Sequence, residues 1–295
     1  MPVKIRRRAA AYGVCRSTGG QVLLTRGSAD CAFPGVWSLP GGGIDQGEHP
    51  ADTVVREFAE ETGLDVRITG VRAVLADLAR LPDDSIEHTD RIVYDVEVTG
   101  GTLRPETAGT SDLAAWADPA AHPLLPFAAG VLGVPFEAAV IEGPFGEPER
   151  PAQVQRFGAY ALATDPAGRV MLTLIADGFP GAGQWHLAGG GTDFGETPEQ
   201  GLARELYEET SQLGRITGLA GISHSYNPSA VGPEGIPLDW HVIRVVYRVS
   251  VEEPVAAAVT EAAGGSTARA AWFTADEARN LRLTEVARDA LAQAG

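Results

Sequence analysis

The 295-residue chain contains only two cysteines, Cys15 and Cys31, and they lack the spacing of a metal site. Two buried, reduced thiols in a cytoplasmic protein is the reading this scarcity supports. The chain has no apolar run of the ~18 residues that a membrane span needs. Its opening, "MPVKIRRRAAAYGVCRSTGG", carries a basic patch, but Arg16 cuts the apolar segment short. That stretch reads as a first strand rather than a signal peptide. Positive charge is scarce as well: 23 Lys and Arg stand against 39 Asp and Glu, a formal charge of −16. A chain this acidic lacks the basic field that holds a nucleic-acid backbone by counterion release. A small anionic ligand stays open to it, provided a divalent cation mediates the contact.

What the sequence does contain, it contains twice. "WSLPGGGIDQGEHPADTVVREFAEET" (Trp37 to Thr62) returns as "WHLAGGGTDFGETPEQGLARELYEET" (Trp185 to Thr210) at a constant offset of 148 residues. The register extends back to Tyr12 and Tyr160, and forward to the "RITG" at Arg67 and Arg215. So long a period marks a duplicated domain rather than a solenoid repeat. The expected boundaries are a first domain over 1–138, a Pro- and Gly-rich linker over 139–153 and a second domain over 154–295. Within each copy, runs such as "RIVYDVEV" and "VIRVVYRVSV" read as strands. One helix follows the glycine-rich turn, and another closes the copy, most visibly from Asp276. Strands and helices mixed in one unit indicate a layered α/β fold.

The first post-turn helix should start at Pro50 and end before a left-handed Gly63. Helical periodicity puts Ala51, Val54, Val55, Phe58 and Thr62 on the core side. Glu57, Glu60 and Glu61 then crowd an adjacent face, where like charges destabilise an isolated helix by roughly 0.2–0.5 kcal/mol per pair. A solvated acidic face is one account. A metal is the other, because Mg²⁺ prefers carboxylate oxygens and keeps positions open for water or phosphate. The recurrence of the spacing favours the metal.

"GGIDQGEHPADTVVREFAEETGL" resembles the Nudix box, G-x5-E-x7-R-E-U-x-E-E-x-G-U with U a bulky apolar residue. Gly42, Glu48, Arg56, Glu57, Glu60, Glu61, Gly63 and Leu64 all fall in place over 42–64. The resemblance implies two tandem α/β/α sandwiches with mixed sheets, forming within one monomeric chain the pair that single-domain relatives form as homodimers. It also implies hydrolysis of a nucleoside diphosphate linked to another moiety, with Mg²⁺ as cofactor and Mn²⁺ an alternative. By the same resemblance Gly42, Glu57, Glu60 and Glu61 bind the metal, Arg56 orients the helix, and Glu57 is a candidate base. The expected partner is a small nucleoside diphosphate derivative, not a nucleic-acid polymer or a membrane.

The second copy keeps Gly190, Glu196, Arg204, Glu205, Glu208 and Glu209. Its matching roles are Arg204 and Glu205 in catalysis, with Gly190, Glu205, Glu208 and Glu209 at the metal. Thr197-Pro198-Glu199-Gln200 has the form of a capping box. Ser211 and Gln212 depart from the box glycine and final apolar residue, within 190–212. Either Ser211 adopts the left-handed turn at about 1–2 kcal/mol, or the helix runs on to Gly214. This site is either a second catalytic centre or a relic, and the first is the expected working centre.

Three more residues are candidates for binding substrate. Trp37 and Trp185 precede the glycine-rich turns and either stack on a base or belong to the core. Arg26 suits a phosphate, but its counterpart is Leu174. His88 and His241 occupy equivalent strand positions and serve either proton transfer or structure. Substrate choice is expected to lie in the divergent loops Leu75–Thr89 and Gly221–Asp239. The rival readings are a nucleotide sensor that binds without turnover and a metal-dependent enzyme that cleaves no diphosphate.

Overall fold

A computed structural model describes residues 3–106, 109–137, 141, 153–231, 237–260 and 265–293. Apart from Ile141 and Gln153, the expected linker lies outside the described residues. The chain divides into two compact units: Met1–Gln155 with Tyr226–Trp240, and Arg156–Ser225 with His241–Gly295.

In chain order the first repeat forms β1 (Ile5–Val14), β2 (Val22–Gly27), β3 (Trp37–Ser38), β4 (Gly41–Gly43), α1 (Pro50–Thr62), β5 (Leu64–Arg80), β6 (Ile86–Gly101), β7 (Ser111–Ala117) and α2 (Pro126–Leu132). The second forms β8 (Gln153–Thr164), β9 (Val170–Ile175), β10 (Trp185–Gly191), α3 (Pro198–Thr210), β11 (Arg215–Val231), β12 (Pro237–Ser250), β13 (Thr267–Phe273), α4 (Ala275–Arg279) and α5 (Glu285–Ala292).

The first repeat's main sheet has the order β4-β1-β6-β5 and is mixed: β1 runs parallel to β6 and antiparallel to β4. Side chains alternate across a strand, so neighbouring residues of β1 serve opposite layers. Tyr12 packs on Phe127 of α2, ring centroids 4.5 Å apart. Gly13 faces α1, where a Cβ would fall 2.5 Å from Phe58 Cε2. Helices therefore cover both faces, as the α/β/α expectation requires. Val22, Leu24, Trp37, Leu39, Val93 and Phe127 form the core on the α2 side. In the second repeat Leu162, Leu172, Leu187, Val246, Leu283 and Ala287 do the same under α5.

Four details differ from expectation. On α1, Val55 is 40% exposed, whereas Thr53 and Glu61 are buried. The buried polar groups on this face are paired: the Thr53 hydroxyl donates to the Glu48 carboxylate at 2.7 Å, and Glu61 accepts from the Gly41 amide at 3.0 Å. The closing helix from Asp276 is two helices, α4 and α5, separated where Trp185 bridges Leu283 and the Thr284 side chain caps α5. The segments expected as specificity loops are largely extended: β5 reaches Arg80, β6 begins at Ile86, and β11 continues through Pro228. Proline is tolerated there because β11 is the edge of its sheet. Finally, Cys15 is buried but Cys31 only half-buried, and both are free thiols.

Candidate active site

The strand-turn-helix around each box is built from local rules. The His49 ring accepts from the Ala51 amide at the start of α1, Pro50 takes the first turn, and Gly63 closes the helix at φ 70°. On α3, Thr197 and Gln200 form the reciprocal capping box, and Ser211 itself adopts the left-handed turn at φ 59°. The helix does not run on to Gly214. Ser211 and Gln212 instead hold the segment after β12. Ser211 Oγ donates to Ala258 O at 2.9 Å, and the buried Gln212 amide bonds Val255 N, Val255 O and Thr210 O.

Each helix carries one arginine at the centre of a carboxylate set. Arg56 grips Glu48 with Nε and Nη2, both at 2.9 Å, and reaches Glu57 at 2.9 Å and Glu60 at 3.2 Å through Nη1. Arg204 repeats this with Glu196 at 2.8 and 3.0 Å, Glu205 at 2.9 Å and Glu208 at 3.3 Å. Each also donates to a carbonyl of the glycine-rich strand, Gly43 O or Gly191 O. The hydrogen bonds to Glu48 and Glu196 lead in raising the two guanidinium pKa values, so neither arginine releases its proton.

The third glutamate turns inward. Glu61, 6% exposed, accepts from the Gly41 amide at 3.0 Å and the Ser111 hydroxyl at 3.2 Å. Glu209 accepts from the Gly189 amide at 2.8 Å and from the Thr267 hydroxyl. Burial, against those hydrogen bonds and with Glu57 and Glu106 nearby, pushes Glu61 up to about 8. Glu57 is also raised, first by burial, although Arg56 opposes the shift.

Glu106 is a carboxylate that sequence reasoning missed. Its Oε2 lies 3.1 Å from Ser111 Oγ and 3.2 Å from Ser111 N, so one hydroxyl stands between Glu61 and Glu106. A signal was present: Glu106 opens "ETAGTS" and Glu261 opens "EAAGGST", each just before the seventh strand of its repeat or its equivalent. Glu261 lies outside the described residues.

The donors are carboxylate oxygens, which suit a hard divalent cation. Gly42 and Gly190 lie so close to Glu57 and Glu205 that a Cβ would fall 2.5 and 2.7 Å from the carboxylates. The glycines thus leave room for those groups against the strand. Among the described residues, no three His, Cys, Asp or Glu side chains are already gathered into a cage for an ion. The residue types fit; their present partners are Arg56, Gly41 N and Ser111 in one repeat, and Arg204, Gly189 N and Thr267 in the other.

The remaining candidates lie elsewhere. Trp37 is 7% exposed and packs in the core beside His122, centroids 4.5 Å apart. Trp185 is half-buried, edge-on to Phe273 at 4.7 Å, with the Arg269 guanidinium 5.8 Å from its ring centroid. Arg26 is engaged by Asp112 in a two-pronged ion pair at 2.8 and 3.2 Å. In register Arg26 faces Leu113, whereas Leu174 faces Arg269, so the cation has changed strand between the repeats. His88 and His241 are buried, His88 3.5 Å from Asp90 and His241 3.2 Å from His224.

Fold and site together define a class: an α/β protein with two carboxylate-bearing helices, each clamped by its own arginine beside a glycine-rich strand. The chain belongs to the NUDIX domain family, whose model matches residues 5–132 and again 154–294. It is 39% identical over 54 residues to the 8-oxo-dGTP diphosphatase of Escherichia coli, covering 18% of this chain and 42% of that protein. It is 39% identical over 72 residues to the ADP-ribose pyrophosphatase of Methanocaldococcus jannaschii, covering 24% and 41%. The chain thus spans less than half the length of these curated relatives. Among solved structures, the MutT NUDIX hydrolase from Burkholderia pseudomallei is similar at a TM-score of 0.39 and 25% identity, over 48% of this chain and 99% of that one. Among the described residues no helix is long and apolar enough to cross a membrane.

Proposed function

We propose that this chain is a Mg²⁺-dependent pyrophosphohydrolase of a nucleoside diphosphate linked to another moiety, with the first repeat as its main catalytic centre. The observation carrying the reading is the inward glutamate of each box, Glu61 and Glu209, pinned on a glycine amide beside its arginine-clamped neighbours. Glu57, Glu60 and Glu61 would hold the cation in the first repeat, and Glu205, Glu208 and Glu209 in the second. When bound, a divalent ion neutralises phosphate charge and makes water a better nucleophile at neutral pH. Arg56 and Arg204 keep the helix carboxylates in register. Glu106, outside the helix and bonded to Ser111, is better placed than the arginine-bound Glu57 to take a proton from water. The relatives' names share cleavage of a diphosphate linkage but differ in the attached group.

The test is Mg²⁺-dependent hydrolysis of nucleotide sugars, ADP-ribose, dinucleoside polyphosphates and nucleoside triphosphates, with Glu61→Gln and Glu209→Gln beside the wild type. Loss of at least ~100-fold in Glu61→Gln alone is the expected result for one main centre. Comparable partial losses in both variants would instead mean two working sites. A wild type that binds nucleotide and Mg²⁺ but turns over none of the panel would replace the hydrolase with a sensor.

A further inference from the structure

The loop between β4 and α1 carries Glu48, the carboxylate that anchors Arg56. Within this loop Asp45 N donates to Glu48 Oε2 at 3.1 Å, so the placement of residues 45–48 sets the placement of the clamp. Two neighbours of Glu48 are held by residues almost two hundred positions further along the chain. Gln46 Nε2 donates to the main-chain oxygen of Asp239 at 3.0 Å and to its Oδ1 at 3.2 Å. Gly47 lies at φ +84°, and a Cβ on it would fall 2.8 Å from Tyr226 Cδ1, so the tyrosine ring covers the glycine. The Tyr226 hydroxyl is hydrogen-bonded to Asp239, which joins the two contacts into one. Tyr226 and Asp239 come from β11 and β12, yet both fall in the first compact unit. The other end of the loop is held too: Gln155 Nε2 donates to Ile44 O at 3.0 Å.

We propose that Gln46, Tyr226 and Asp239 form a latch that positions the first box loop, so that the first site is complete only with a segment of the second repeat. The proposal rests on the hydrolase reading of that site. With the latch open, the loop gains conformational freedom that must be surrendered again whenever Glu48 engages Arg56. An arginine less firmly held by Glu48 no longer fixes the position of its Nη1, and with it the placement of the Glu57 and Glu60 carboxylates bonded there. The second box carries Phe194 where the first has Gln46, and phenylalanine has no side-chain donor to form the same hydrogen bonds. Gln46, Tyr226 and Asp239 are accordingly positioning residues, acting through Glu48 and Arg56.

The test uses the full chain with Glu209→Gln, so that turnover reports the first site. Gln46→Ala, which removes both bonds to Asp239, should lower kcat at least about fivefold, the effect of a single hydrogen bond, and leave KM within about twofold. Asp239→Ala should also lower kcat, because its carboxylate serves both Gln46 and Tyr226, and the double variant should lose less than the two single losses combined. Asp239→Asn keeps a side-chain acceptor and should restore kcat. Independently of activity, hydrogen exchange at the amides of residues 44–48 in metal-free protein should quicken in Gln46→Ala. Unchanged exchange, unchanged kcat, or additive losses in the double variant would each overturn the latch. If the Glu209→Gln chain turned over nothing, the hydrolase reading of the first site would fall, while exchange would still decide whether the latch holds the loop.

Discussion

His186 sits on β10 with Nδ1 2.6 Å from Thr284 Oγ1 and its ring edge-on to Tyr160 at 5.0 Å. The same hydroxyl accepts from the Ala287 amide, which leaves its proton for the imidazole. Burial, with Arg244 adding repulsion, lowers this histidine from 6.5 to about 4. A folded pKa below the unfolded one means that stability is present above pH 6.5 and is lost as pH falls through 6.5 toward 4. The loss should reach about 3 kcal/mol. Urea unfolding of His186→Gln should therefore show a shallower decline between pH 7 and 4 than the wild type. Parallel declines would mean that the ring is not held neutral by its surroundings. Glu106 teaches a related point, since only its place beside Ser111 separates it from the other acidic residues of an acidic chain.

At the scale of elements, the two box helices end on the same turn with different chemistry. Gly63 meets no penalty at φ 70°, whereas Ser211 bears one of about 1–2 kcal/mol that its bond to Ala258 O partly offsets. The departures in the second box thus form a structural clamp. Replacing Gln212 by leucine, the residue type at the matching end of the first box, should destabilise the protein by about 1–2 kcal/mol, because the buried amide's bonds to the Val255 main chain and to Thr210 O are lost while the exposed Val255 can turn to water. A melting temperature equal to or above that of the wild type would show that the clamp is dispensable.

Over the whole molecule, the net charge of −16 and two carboxylate sites predict stabilisation by divalent cations beyond simple screening. At about 100 times its Kd, Mg²⁺ should add about 2.7 kcal/mol for each independent site. Calorimetry at constant ionic strength should show part of that gain lost in Glu61→Gln or Glu209→Gln, and all of it lost in the double variant. No difference between Mg²⁺ and an equivalent monovalent salt would remove the cation from both sites.

The duplication, the box glutamates, the arginine between them and the caps at Pro50, Gly63 and Thr197 were all legible in one dimension. Each depends on spacing along a helix or on the chemistry of a single turn, which neighbours in sequence specify. Tertiary structure decided what depends on burial and on long-range register. It turned Val55 out and Glu61 in, split the final helix where Trp185 docks, and extended the presumed specificity loops into strands. It also brought Glu106 to Ser111 and Asp239 to Gln46. No local pattern encodes those meetings, because the partners are brought together by sheet pairing and packing rather than by the chain's own periodicity.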